Sequence, residues 1–355
     1  MPAIPLLTDP AAVTPEWLTE VLRASGALSD GRVATVDHEL FGAGMVGDNA
    51  RFHLTYEGGT GPATLVGKFP TADEVSRNAS AMTRSYEVES RFYQDLQARV
   101  DIATPATHLA LLDVEANEFV LIMEDLAPAQ PGDQIDGCDL DTTRVSVLEL
   151  AKLHAPLWGD PVLGEMAWLD RSTAENEAFY LQLLPMLHGG FNDRYGERLA
   201  PELRAVGDAV VARLADYIAY RPDPLTVVHG DFRLDNLLFN GASPVVAVDW
   251  QTATRGPALT DVAYFLGTSP TTDVREANEA TLVREYHEAL IARGVADYDW
   301  DRCWHDYRRF AFAGYLMAVG ASMLVAPTDR GDLMFLAMAE RSCRMALHHD
   351  TLSLL

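Results

Sequence analysis

Residues 227–239 read VVHGDFRLDNLLF, and residues 245–250 read VVAVDW. Two apolar residues lead into the polar turn and three follow it, which is expected to hold His229, Asp231 and Asn236 rigidly at the edge of a core, with Asp249 at the end of a later strand. The order H-x-D-x-x-x-x-N plus a strand-end Asp supplies an acceptor for a hydroxyl proton and two oxygen donors suited to magnesium. Phosphoryl transfer needs that set. Asp231 is expected to orient and deprotonate an alcohol; Asn236 and Asp249 are expected to bind the metal, neutral Asn limiting repulsion among clustered carboxylates. Taken singly, the three also read as a turn former, an Asx-turn residue and a cap.

Upstream, FGAGMVGDNARFHLTY (41–56) sets Gly42, Gly44 and Gly47 in the spacing G-x-G-x-x-G. A dinucleotide-binding loop would open a helix and meet an acid about 20 residues on. Here an alternating strand follows Gly47, and the later landmark is Lys68 in TLVGKFP. A glycine loop between antiparallel strands with a lysine on the next strand is the protein-kinase arrangement. An ammonium inside an apolar strand needs an anionic partner. Glu87 and Glu89 are both candidates, and Glu89 is preferred because E-x-x-F-Y places it one turn before Phe92 on the packed side.

Around these motifs the hydrophobic period divides the chain. TPEWLTEVLRASG reads as a helix, with Thr14 to cap it, Pro15 in the first turn and Gly26 to end it. RVATVDHEL, ARFHLTY, ATLVGKF, THLALLD and FVLIMED predict a five-stranded antiparallel sheet, and Val88, Phe92, Leu96 and Val100 predict one helix against it. LAPAQPGDQIDGCD reads as a linker, beyond which the period is mainly helical except for a small hairpin expected within 225–250. Residues 1–125 are thus an expected N-lobe and 126–355 a larger helical C-lobe, an α+β fold.

Composition narrows the function classes. The 355 residues carry 27 basic and 52 acidic side chains, a net charge of −25, which opposes binding to nucleic acid or to anionic membranes. Cys138, Cys303 and Cys343 show neither C-x-x-C nor metal-ligand spacing, so a reducing cytoplasm is the expected location. The start MPAIPLLTDP lacks a basic region followed by a long apolar run, and membrane insertion is not expected. No obligate protein partner is evident.

Taken together, the glycine loop, LVGKFP, YEVESRFY, LIMEDL, LAKLHAPLW, VVHGDFRLDNLLF and VAVDWQTATRGPALTDVAYFL resemble the aminoglycoside phosphotransferase and choline kinase-like superfamily, over nearly the whole chain. Gln251 after VDW and the TDVAYFL run look most similar to its ecdysteroid kinase-like (CHK kinase-like) branch and bacterial relatives. The resemblance implies a protein-kinase-like two-lobed fold and use of ATP and Mg2+. It implies that the backbone of MEDL, including Glu124 and Leu126, is the adenine-binding hinge, and that Gly44 to Asn49 cover the phosphates. His229 and His154 are expected to support the catalytic turn as packed histidines, and Asp261 to cap DVAYFLG and tie the turn to that helix. H-G-D stands where protein kinases have H-R-D, DWQ stands for D-F-G, and no A-P-E follows, which favours a small-molecule acceptor over a peptide.

The acceptor is expected to be a hydroxylated small molecule, with a lean toward a sterol-like or other partly apolar alcohol; an aminoglycoside or a choline-type amino alcohol is the alternative. Trp300, Trp304, Tyr307, Phe310 and Met317 with Asp301 and Asp306 are candidates to line its pocket, yet Trp304, Tyr307, Ala311 and Tyr315 also have the spacing of a packed helix. A magnesium-dependent phosphoesterase would explain the acids and leave the glycines and Lys68 unused, and an inactive nucleotide-binding scaffold would leave the complete acid set unexplained.

Overall fold

The structure, a computed structural model, describes residues 4–42, 47–171 and 173–355. The chain divides into two compact units. The first takes Met1–Ala98, Thr104–Pro128 and Asp249–Thr252; the second takes Arg99–Ala103, Ala129–Val248 and Ala253–Leu355.

The first unit opens with helix α1 (Pro15–Ala24), where Thr14 Oγ1 accepts from Trp17 N at 3.2 Å and Pro15 fills the first helical position. Strands β1 (Arg32–Phe41), β2 (Gly47–Glu57) and β3 (Thr64–Pro70) follow, then helices α2 (Glu74–Thr83) and α3 (Ser85–Arg91), then β4 (Thr107–Asp113) and β5 (Glu118–Glu124). The strands form the expected antiparallel five-stranded sheet in the order β1-β2-β3-β5-β4. Alternation along β2 buries Ala50, Phe52 and Leu54 against Trp17, Leu18, Val21 and Leu22 of α1, which packs on the sheet.

Two details differ from expectation. Helix α2 was not anticipated; Asp73 starts it by accepting from Ser76 N at 2.8 Å. The helix expected to run to Val100 ends at Arg91 and widens into a π turn over Phe92–Leu96. A strict four-residue repeat drifts around a helix of about 3.6 residues per turn. The wider turn takes up the drift, so Val88, Phe92 and Leu96 all stay buried.

In the second unit come β6 (Gln130–Pro131), α4 (Leu140–His154), α5 (Ala174–Tyr195), α6 (Pro201–Ala212) and α7 (Leu214–Ala219). Then follow β7 (Thr226–Val228), β8 (Leu237–Phe239), β9 (Val245–Ala247) and β10 (Thr254–Gly256), and helices α8 (Leu259–Thr268), α9 (Thr272–Ala292), α10 (Trp300–Arg309), α11 (Ala313–Leu324) and α12 (Asp329–His348). The expected hairpin is β8 paired with β9; β7 instead pairs antiparallel with β10, which lies beyond the stretch read as a hairpin. Among the described residues no helix is long and apolar enough to cross a membrane.

The segment that follows β9, Asp249–Thr252, is part of the first unit. Trp250 is fully buried and stacks on Phe92, ring centroids 3.7 Å apart and planes 3° from parallel. Trp250→Ala is therefore expected to lower stability by about 3–5 kcal/mol, read from the urea midpoint. An unchanged midpoint would show that this stack contributes nothing.

Candidate active site

Lys68 lies in β3, where the register sets it beside Asn49 on one side and Leu121 on the other. Its Nζ is 2.6 Å from Glu89 Oε2 and 3.0 Å from Asp249 Oδ1. Glu87 turns away and pairs with Arg84 at 3.0 Å. Burial on its own would lower the Lys68 pKa; Asp249 and Glu89 outweigh it and hold the ammonium above its ordinary value. Burial lifts the Glu89 carboxyl above its usual range against the pull of Lys68, and Asp249 adds to the lift.

Asp249 has φ of 66°, a left-handed conformation uncommon for a residue with a side chain. Lys68 holds its Oδ1, and Gln251 Nε2 donates to its Oδ2 at 3.2 Å. Gly47 closes over the lysine: a Cβ there would lie 3.0 Å from Phe69 O and 3.5 Å from Lys68 Cε. Gly42, with φ of 72°, ends the described part of the loop, and Gly44 lies outside the described residues. At the end of β5, Glu124 N donates to Ala106 O at 2.8 Å, while Leu126 lies two residues past the strand and is half-buried.

In the second unit, β7 delivers the chain into the turn from His229 to Asn236. Asp231 is gripped on both oxygens. Arg233 Nε donates to Oδ1 at 3.1 Å and Oδ2 at 3.2 Å, Tyr264 Oη to Oδ1 at 2.5 Å, and Asn236 Nδ2 to Oδ2 at 2.9 Å. Asn236 Nδ2 also reaches Asp231 O at 2.9 Å, which leaves its amide oxygen as the acceptor it can offer a cation. Burial would lower the Arg233 pKa, but neighbouring Asp231 more than compensates, so the guanidinium stays charged. Burial and the Asp231 charge push Tyr264 well above its ordinary value, keeping it a neutral donor.

Behind the turn stands Asp261, fully buried in the first turn of α8. It does not cap that helix, which begins at Leu259. Its Oδ2 accepts from His229 N at 2.6 Å and its Oδ1 from Gly230 N at 2.9 Å. His154 lies 3.3 Å from Asp261 Oδ2 and 2.7 Å from Tyr286 Oη. His229 accepts from Asp231 N at Nδ1, 3.2 Å, so its Nε2 carries the proton donated to Val248 O at 3.1 Å. Val248 N in turn bonds Asn236 O at 3.0 Å. The turn is a fixed backbone frame carrying two carboxylates: Asp235 is paired with Arg233 and Arg330, and Asp231 is held by Arg233, Tyr264 and Asn236.

Residues read as acceptor candidates mostly serve packing. Trp304 stacks on Trp300 and Tyr307, and Asp306 accepts from Tyr220 at 2.5 Å and Tyr298 at 3.0 Å. Phe310 instead helps to line a cavity of about 230 Å3 with Tyr180, Tyr217, Tyr220, Arg171 and Glu177. Thr260, on the same cavity, lies one helical turn before Tyr264. Arg233, Tyr264 and this cavity were not anticipated from sequence; Arg233 stands inside the quoted motif, two residues from Asp231, and was readable as its counter-ion.

Comparison with known proteins matches this architecture. A choline kinase from Cryptosporidium parvum superposes with a TM-score of 0.54 at 9% identity, covering 90% of this chain and 89% of that one. The GDP complex of aminoglycoside 2'-phosphotransferase-IIIa gives a TM-score of 0.51, with 18% identity over 93% of this chain and 98% of that one. The chain shares the kinase-like α+β fold of these structures, an antiparallel sheet followed by a helix-rich part. Residues 166–294, which carry Asp231, Asn236, Asp249 and Asp261, match the model of the Ecdysteroid kinase-like family. A 46-residue stretch is 48% identical to mouse (Mus musculus) acyl-CoA dehydrogenase family member 10, covering 12% of this chain and only 4% of that protein.

Asp261→Ala would strip the acceptor from the buried N–H of His229 and the part-buried N–H of Gly230; a buried group left unpaired costs about 1–3 kcal/mol, so a loss of at least about 1–3 kcal/mol is expected by denaturant unfolding. A loss below about 1 kcal/mol would contradict its role as the brace of the turn.

Proposed function

We propose that this protein is an ATP- and magnesium-dependent kinase that transfers the γ-phosphoryl group of ATP to a hydroxyl of a small molecule. The observation that carries the reading is Asp231, a carboxylate fixed on both oxygens by Arg233, Tyr264 and Asn236 at the head of a braced turn. A group held this way orients an acceptor hydroxyl and takes its proton as the new O–P bond forms and the bond to ADP breaks. ATP and the alcohol then give ADP, a phosphate monoester and a proton.

Lys68 is assigned to the ATP phosphates, with Glu89 holding its ammonium in place. Gly42, Gly44 and Gly47 are assigned to the loop over those phosphates, and the Glu124 to Leu126 backbone to adenine. The Asp249 carboxylate and the Asn236 amide oxygen are assigned to magnesium, which prefers hard oxygen donors. When bound, the metal would neutralise charge on the phosphate oxygens. A phosphoesterase would leave the Lys68 and Glu89 pair without a task.

For the acceptor, the tyrosine-lined cavity with Arg171 and Glu177 at its wall fits an alcohol that is partly apolar and bears polar substituents. The functions of the structural neighbours, aminoglycoside and choline phosphorylation, fall in the same class of acceptor. A cytoplasmic setting, where ATP is abundant, accords with three free cysteines.

Asp231→Asn is expected to cut turnover by about 10²–10⁴-fold and leave ATP affinity unchanged, while Lys68→Ala lowers kcat/KM for ATP. ADP release coupled to mass detection of phosphorylated product, across sterols, aminoglycosides, amino alcohols and sugars, measures both and finds the acceptor. Turnover retained by Asp231→Asn would overturn the assignment.

A further inference from the structure

At the C-terminal end of α12, its last residue His348 and the following residue His349 meet Glu279 of α9 at one point. Glu279 of α9 offers Oε1, which lies 3.3 Å from His348 Nε2 and 3.1 Å from His349 Nε2. All three ligand atoms fall within 4.8 Å of one another. Tetrahedral zinc, with bonds of about 2.0–2.1 Å, requires ligand atoms about 3.3–3.4 Å apart. Both separations from Glu279 are close to that edge length.

His349 supplies the observation that a simple ion pair does not explain. Its side chain is 5% exposed. Its Nε2 has no hydrogen-bond partner although the Glu279 oxygen is 3.1 Å away, because the contact is out of line for an N–H donor. A buried imidazole nitrogen that faces a carboxylate oxygen without an aligned hydrogen bond suits a shared third atom.

The other Glu279 oxygen is already committed. Oε2 accepts from Arg275 Nη1 at 2.8 Å and Tyr307 Oη at 2.7 Å, so the carboxylate is locked with Oε1 presented. Glu276 Oε1 lies 3.8 Å from His348 Nδ1, the side of that imidazole away from the cluster. Trp304 and Tyr307 pack edge-on against the His349 ring and fix its plane. The His348 side chain is 44% exposed and gives an ion its way in.

We propose that Glu279, His348 and His349 bind a divalent transition-metal ion of the zinc type, which fastens the last turn of α12 to α9. Two imidazoles and one carboxylate select zinc over magnesium, which prefers oxygen throughout. Three protein ligands leave the fourth position for water.

The test uses tag-free, full-length protein stripped with a chelator and titrated with ZnCl2 alone against a competing chelator. Bound metal is counted by mass spectrometry, and Co2+ absorption reports the geometry. Wild type is expected to take up one equivalent with tetrahedral cobalt bands and to gain thermal stability from zinc. His348→Ala removes an exposed side chain, so its fold is checked by circular dichroism; zinc affinity is expected to fall at least about tenfold and the thermal gain to vanish. Absence of bound zinc in wild type would overturn the proposal. So would an equivalent that survives His348→Ala and is lost in Asp249→Asn, since that metal would sit at the residues proposed to bind magnesium.

Discussion

An ammonium buried between two carboxylates is the constraint on which the first unit depends. Taking Lys68 out of water costs several kcal/mol, and Glu89 and Asp249 repay it only when both stand within bonding distance. Three separate pieces of chain must meet for that: strand β3, helix α3 and the segment after Val248. The Phe92–Trp250 stack joins two of them one turn beyond Glu89 and one residue beyond Asp249. Gly47 lets β2 approach the lysine closely, where any side chain would meet the β3 backbone. Hydrophobic packing thus sets the distance at which the charges pair.

In the second unit a buried carboxylate plays the organising part. Asp261 satisfies two consecutive backbone donors, so the turn from His229 to Asp231 is held by its main chain and its side chains are left for other work. Histidines complete the frame from either side. His229 joins the turn to Val248, and His154 links Asp261 to Tyr286 of α9. Neither meets Asp231 through its ring as a proton carrier would; the ring of His229 receives the Asp231 backbone N–H instead.

The fold was legible because its periods are long and distinct. Alternation in β2 and the apolar runs of β3 and β5 announce a sheet, and the E-x-x-F-Y spacing places Glu89 on the face that packs, where it meets Lys68. Three-residue strands carry no such signal, which is why the β7–β10 pairing was missed. Spacing shows which face a residue occupies and leaves its partner open when the partner is remote. Tyr264 reaches Asp231 across 33 positions, and Trp304 fills a stack between Trp300 and Tyr307 where a pocket wall was an equal reading. Asp261 looked like a cap because the true helix start, at Leu259, is set by the preceding Pro-Ala turn and has no side-chain cap to mark it.

The most direct measurement follows the phosphorus atom. With γ-labelled ATP, magnesium and the acceptor found by screening, the label is predicted to appear in an organic phosphate monoester and not as inorganic phosphate. Label released to water at the full rate of ADP formation, with none in the organic fraction, would contradict a phosphotransferase acting on an alcohol.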